Sequence, residues 1–163
     1  MKRRIKSYSS VASRQRSRGT SLIEVLIAVL ILGIGLLGIA SMQAITLRNG
    51  QSSMERSQAV MQTYSVLDAM RSNAVLARTG SYTMARSCTP PTANATLAQR
   101  DLANWMASVQ ANLGPTSCGT IVCQAIAAPP VTTNRLCTIT VDWNDSRGTG
   151  GSSLQETVTR SRI

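Results

Sequence analysis

The side chains with the most chemical potential in this sequence are one carboxylate and four thiols. Glu24 is the only charged residue in the stretch 22–42, LIEVLIAVLILGIGLLGIASM, and no charge occurs from Val25 to Leu47. An ionised carboxylate among Leu, Ile and Val is costly in a bilayer and usually marks a function with a definable partner. At the start of a helix it is tolerated, because the headgroup layer and the macrodipole both favour an anion there. Its chemistry is to pair with a cation, and an unpaired Glu24 is penalised in any apolar setting. Cys88, Cys118, Cys123 and Cys137 make an even set that suits two disulfides. A tetrathiolate zinc site is the competing use, but only Cys118 and Cys123 have ligand-pair spacing. Histidine is absent and the seven acids are scattered. Hydrolytic triads, imidazole metal sites and most proton shuttles therefore lack their usual actor. No catalytic, metal or cofactor-binding residue is expected, and the chain does not read as an enzyme. The stretch Asp142 to Gly148 resembles a calcium loop only superficially, since its oxygens do not follow the required alternate spacing.

The elements that must position these groups begin with a membrane helix. The 23 residues from Val25 to Leu47, rising about 1.5 Å each, span roughly 34 Å, enough to cross the hydrocarbon layer. Seven cations and no acid lie in residues 1–19, whereas the remainder carries ten Arg against seven acids. The net charge of +10 is thus concentrated before the helix. By the positive-inside bias, the N-terminus is expected in the cytoplasm and the C-terminal part across the membrane. The remainder has no basic stripe interleaved with aromatics, so no nucleic-acid partner is expected. A cleaved secretory signal would have a shorter apolar region and no carboxylate at its cytoplasmic end. A plain anchor is the default on composition alone.

The block Arg18-Gly19-Thr20-Ser21-Leu22-Ile23-Glu24-Val25-Leu26-Ile27-Ala28 resembles the class III signal of type IV prepilins: a basic leader, Gly, then a mature chain with Glu fifth and a long apolar run. The resemblance implies that prepilin peptidase cuts between Gly19 and Thr20 on the cytoplasmic face and methylates the new amine of Thr20. The family usually has Phe after the cut, where this chain has Thr20. In the family, cleavage depends chiefly on the Gly. The resemblance also implies that Glu24 serves subunit assembly. The new amine lies four residues before it, about 6 Å of helix, and stagger between subunits would bring one chain's amine to another's carboxylate. Lipid tails are about as apolar as Leu, so packing and polar pairing must select the partner. Gly33, Gly35 and Gly38 form no GxxxG motif. The resemblance implies local softening of the helix here, and close packing of neighbours is an equally good account.

Beyond the membrane, the spacing of Val60, Tyr64, Leu67, Met70, Ala74 and Ala77 predicts that one amphipathic face continues the helix, with Asn49-Gly50 as the place for a bend. Met54, Met61 and Met70 read as core filler. The helix is expected to end at Thr79-Gly80, followed by a loop through Pro90-Pro91. Ala98, Leu102, Trp105, Val109 and Leu113 line a second helix, with Asn94 as its N-cap and Gly114-Pro115 as its end. Cys137, Ile139, Val141 and Trp143 alternate with polar residues as a half-buried strand. Gly119 to Ala127 and Ser153 to Arg162 are further strands, with a turn at Gly148 to Gly151. Trp105 and Trp143 read as core anchors. The fold class is α+β, a long helix on a small antiparallel sheet. Four cysteines allow three connectivities. Were residues 119–123 extended, Cys118 and Cys123 would lie about 16 Å apart, beyond disulfide reach. A hairpin turning at Pro129-Pro130-Val131 would set Cys123 opposite Cys137 and leave Cys88 with Cys118.

Within prepilins, the chain is most similar to the PilV-type minor pilins, or type IV pilus modification proteins. The similarity rests on Gly35 to Gln43, Asp68 to Asn73, Asp101 with Trp105, and Thr138 to Trp143. The implied division is a leader at 1–19, a transmembrane and assembly helix at 20–47, and a pilin-like periplasmic head at 48–163. The implied role is a low-copy subunit that primes pilus assembly, near the tip. Its implied partners are prepilin peptidase, the major and other minor pilins, the inner-membrane assembly platform and membrane lipid. A minor pseudopilin of a type II secretion system shares this logic. A single-span membrane-anchored binding or sensor protein is the alternative from another class.

Overall fold

The computed structural model describes residues 19–93, 96–126 and 134–163. Its elements run α1 (Leu22–Ser72), α2 (Ala74–Thr79), β1 (Met84–Ser87), α3 (Leu97–Leu113), β2 (Cys118–Ala125), β3 (Arg135–Trp143) and β4 (Gln155–Arg162). The chain divides into two compact units, one ending at Ser41 and one from Met42 to Ile163. Once α1 begins, the first is all helix and, apart from Glu24 and Ser41, carries no polar side chain. From Gly19 to Gln51 every residue except Gly33 is exposed.

The second unit is an α+β fold. Four antiparallel strands lie in the order β1-β2-β3-β4, with the latter part of α1 and all of α3 supplying the apolar cover. Residues of α3 at helical spacing, namely Ala98, Leu102, Trp105, Met106, Val109 and Leu113, are buried together with Ile121, Ile139, Val141 and Trp143 of the sheet. Period-3.6 and period-2 apolar patterns thus meet in one core. Gly119 makes the approach close: a Cβ there would stand 2.6 Å from the Trp105 ring. The Trp105 indole N–H donates to the carbonyl of Gln62 on α1 at 2.9 Å.

The contact between α1 and β4 is polar instead. Thr63 and Thr159 share a hydroxyl hydrogen bond of 2.9 Å, and Arg71 donates to Ser161 at 3.3 Å. Further back along the helix, Ser52 donates to the buried carboxylate of Asp145 in the β3–β4 loop, and Arg147 of that loop lies 3.6 Å from Glu55. The α1 helix runs unbroken through Asn49-Gly50.

Several expectations need correction. The spacing places Val60 and Tyr64 on the buried face, but they are 40% and 52% exposed; the buried residues of α1 are Ala59, Thr63, Val66, Leu67 and Met70. Met70 is core, whereas Met54 and Met61 are exposed. The apolar side chains of this half therefore occupy two faces, and the spacing alone joins members of both. Ala74 is half-buried. The single helix expected to reach Thr79 breaks at Asn73, whose φ of −119° and ψ of 49° are not helical. Beyond Asn73, α2 ends on Gly80, which takes the left-handed conformation (φ 91°) that favours glycine. The loop expected after it contains β1, whose four residues carry no alternation of the kind that marks a strand. The N-cap of α3 is Thr96, in a reciprocal box with Gln99 at 3.3 Å in each direction. Asn94 lies outside the described residues, as does the Pro129-Pro130-Val131 turn. The strand expected at Gly119 to Ala127 is β2, Cys118–Ala125.

Candidate processing and assembly site

The carboxylate of Glu24 is carried on the first turn of α1. Ser21 ends the preceding segment: its carbonyl accepts the N–H groups of Glu24 at 3.0 Å and Val25 at 3.2 Å. Ser21 thus occupies the N-cap and Glu24 the third helical position, the Ser-x-x-Glu spacing that closes helix starts. That spacing was available in the sequence as a sign of where the helix begins. The carboxylate lies at the positive end of the helix dipole. Gly19, Thr20 and Ser21 are exposed and outside regular structure. Thr20 therefore stands two residues before the helix, not on it as a purely helical spacing to Glu24 assumes. An exposed, non-helical Gly-Thr bond is the form a peptidase can bind as extended chain. Hydrolysis there would leave a cationic amine a few residues from Glu24.

Downstream, α1 is long and apolar enough to cross a membrane, and none of its most apolar stretch is buried by the described residues. Such a surface is stable when lipid or another apolar helix covers it. A Cβ at Gly33, Gly35 or Gly38 would meet nothing within 4 Å.

Residues 14–40 match the prokaryotic N-terminal methylation motif. This motif is typical of prepilin-like proteins, the type IV pilins and pseudopilins. It includes Gly19, Thr20 and Glu24 and most of the exposed apolar run. No curated protein and no solved structure matches the chain.

In the second unit the four cysteines form two disulfides, Cys88–Cys118 and Cys123–Cys137. The latter pair are direct partners in the β2–β3 ladder. Three polar arrangements there were not visible in the sequence. Arg86 of β1 binds the buried carboxylate of Asp142 at 2.6 and 3.3 Å, which holds the Arg86 pKa above its ordinary value. The buried Tyr82 hydroxyl accepts from Asn73 at 3.2 Å and donates to Asp101. Burial, with the Asp101 carboxylate beside it, pushes its pKa up to about 12. The third is the Ser52–Asp145 bond. Each joins residues far apart in the chain and has no local signature.

Proposed function

We propose that this chain is a minor pilin of a type IV pilus, of the PilV type, made as a prepilin and incorporated in low copy number to prime assembly, near the tip. The observation that carries the proposal is the motif at residues 14–40, with Glu24 on the first turn of an uncovered apolar helix directly after an accessible Gly19-Thr20 bond. Residues 1–19 are the leader, 20–47 the membrane and assembly helix, and 48–163 the head. Prepilin peptidase cuts after Gly19 and methylates Thr20. The new amine of one subunit pairs with Glu24 of its neighbour and sets the axial register.

The seven leader cations support a cytoplasmic N-terminus, and two disulfides support a periplasmic head. The role is structural. Its partners are the peptidase, the major and other minor pilins, the inner-membrane assembly platform and lipid.

Mass spectrometry of the membrane-bound chain tests the processing step, with a start at a singly methylated Thr20 expected. Recovery with Met1 and all nineteen leader residues attached defeats the reading. Glu24→Ala is expected to keep the chain in the membrane while lowering its share in sheared pili by about tenfold or more, the unpaired amine being left in an apolar core. A deletion strain that keeps full pilus yield but loses protein secretion would point to a pseudopilin.

A further inference from the structure

The C-terminal end of α3 and a stretch of α1 in the second unit enclose a cleft of about 240 Å³, lined by Gln51, Met54, Glu55, Gln58, Ala111 and Asn112. The four α1 residues follow one another at spacings of 3, 1 and 3, so they share a face of the helix. The α3 wall ends where the sequence stops it: Gly114 is the C-cap, and Pro115 has no N–H with which to continue the ladder. No basic residue stands in the last turn of α3. The negative end of its dipole is therefore left without a cation beside the cleft.

Glu55 is the one charged residue among those lining it. Its side chain is only 14% exposed, and the cation beside it among the described residues is Arg147, itself 74% exposed, at 3.6 Å from Oε1. That is longer than a charge-assisted hydrogen bond, which runs about 2.7–2.9 Å. The donors next to Glu55 on the helix are spent elsewhere, Ser52 on Asp145 and Arg56 on Gln155. Asn112 gives its N–H group to the Ser108 carbonyl at 2.7 Å, which leaves its amide oxygen as an acceptor. A carboxylate taken largely out of water with acceptor capacity unspent is costly, and a donor that enters the cleft relieves that cost.

We propose that this cleft receives an arginine side chain of an adjoining subunit. A guanidinium is planar, always charged and offers five donors in a fixed fork, enough to serve the Glu55 carboxylate and neighbouring amide oxygens together. A lysine ammonium is a compact point charge with three donors and serves fewer of them. Met54, 64% exposed, gives the aliphatic stem an apolar wall. Contact with Arg147 through one carboxylate oxygen leaves the other for the incoming group. The level of the cleft also suits such a donor. Subunits that share one membrane stand parallel, so the cations that reach this level are those just past a neighbour's apolar run, where this chain itself carries Arg48 and Arg56. The inference rests on the reading of the chain as an assembly subunit, but it uses neither the leader nor Glu24.

The test uses the full chain in detergent micelles, with N-acetyl-arginine amide as the probe and the side-chain amide NMR signals of Gln51, Gln58 and Asn112 as the readout. Saturable shifts are expected there, while the amide of Asn73, bonded to Tyr82 well beyond the cleft, stays in place. The uncharged analogue N-acetyl-citrulline amide should bind at least about fivefold more weakly, and Glu55→Gln should weaken arginine binding by a similar factor. Arg147→Gln removes a competitor for the carboxylate and should leave the affinity unchanged or raise it by up to about threefold. Equal binding of the arginine and citrulline probes, equal affinity in the Glu55→Gln chain, loss of binding in Arg147→Gln, or tighter binding of O-phosphoethanolamine, which would assign the cleft to lipid headgroups, would each overturn the proposal. The citrulline comparison needs no variant, so misfolding cannot imitate its result. Probe binding to a chain recovered with its leader attached would defeat the processing reading alone, and no probe binding to a chain that starts at Thr20 would defeat this one alone.

Discussion

The two ends of α1 share one helix and almost opposite treatment of their apolar side chains. Between Leu22 and Ser41, Leu, Ile and Val occur on every side and are exposed. Between Met42 and Ser72, apolar residues are fewer, yet Ala59, Val66, Leu67 and Met70 are fully enclosed within the second unit. A helix apolar all round suits a uniformly apolar surrounding, and a helix with one apolar stripe suits a core on one side. The first stretch is therefore built for a medium outside the chain, and the second for a partner surface within it. Glu24 stands at the N-terminal limit of the first, on the first helical turn, where the helix dipole favours an anion.

The contrast can be broken most forcefully in the first stretch. Leu32→Arg is expected to cost about 3–4 kcal/mol of membrane insertion, read as loss from the membrane fraction, with head stability unchanged. In the second stretch, Met70→Ala should lower head stability by about 2–3 kcal/mol through cavity formation, while Met61→Ala, 53% exposed, should change it by less than about 0.5 kcal/mol. Denaturant midpoints of the detergent-solubilised chain check both. Trp105→Phe should cost about 1 kcal/mol more than Trp143→Phe in the same assay. Trp105 loses its bond to Gln62, whereas the buried Trp143 indole N–H has no partner among the described residues. The smallest effect carries the opposite sign. Gly50 lies inside α1, and a Cβ there meets nothing within 4 Å, so Gly50→Ala should raise helix stability by up to about 1 kcal/mol, read as a gain in helical circular dichroism on heating.

These experiments also probe why parts of the molecule were legible in the sequence. The α3 stripe is legible because Ala98, Leu102, Trp105, Val109 and Leu113 serve one core and form one period. The β3 strand was legible for the same reason. On α1, Val60 and Tyr64 resemble core residues in spacing, but Ala59 and Thr63 occupy the core positions. A hydroxylated side chain fits at position 63 because Thr159 offers it a hydroxyl, and the neighbouring Gln62 carbonyl accepts from the Trp105 indole. Neither is visible from within the helix. The sequence Met84-Ala85-Arg86-Ser87 has no strand pattern because tertiary bonds, including that to Asp142, hold it as one. At the other end, Gly19, Thr20 and Glu24 fall within one contiguous motif, residues 14–40, whose pattern is legible without any tertiary contact.

The Cys88–Cys118 disulfide has a mechanical consequence. All of α3, Leu97–Leu113, lies inside the loop that this bond closes. Tension drawn through the backbone from α1 towards β4 would cross directly from residue 88 to 118 and again from 123 to 137. The helix that supplies the largest single share of the core would bear no load. Under such tension Trp105 and the rest of α3 would stay inside a covalently closed loop.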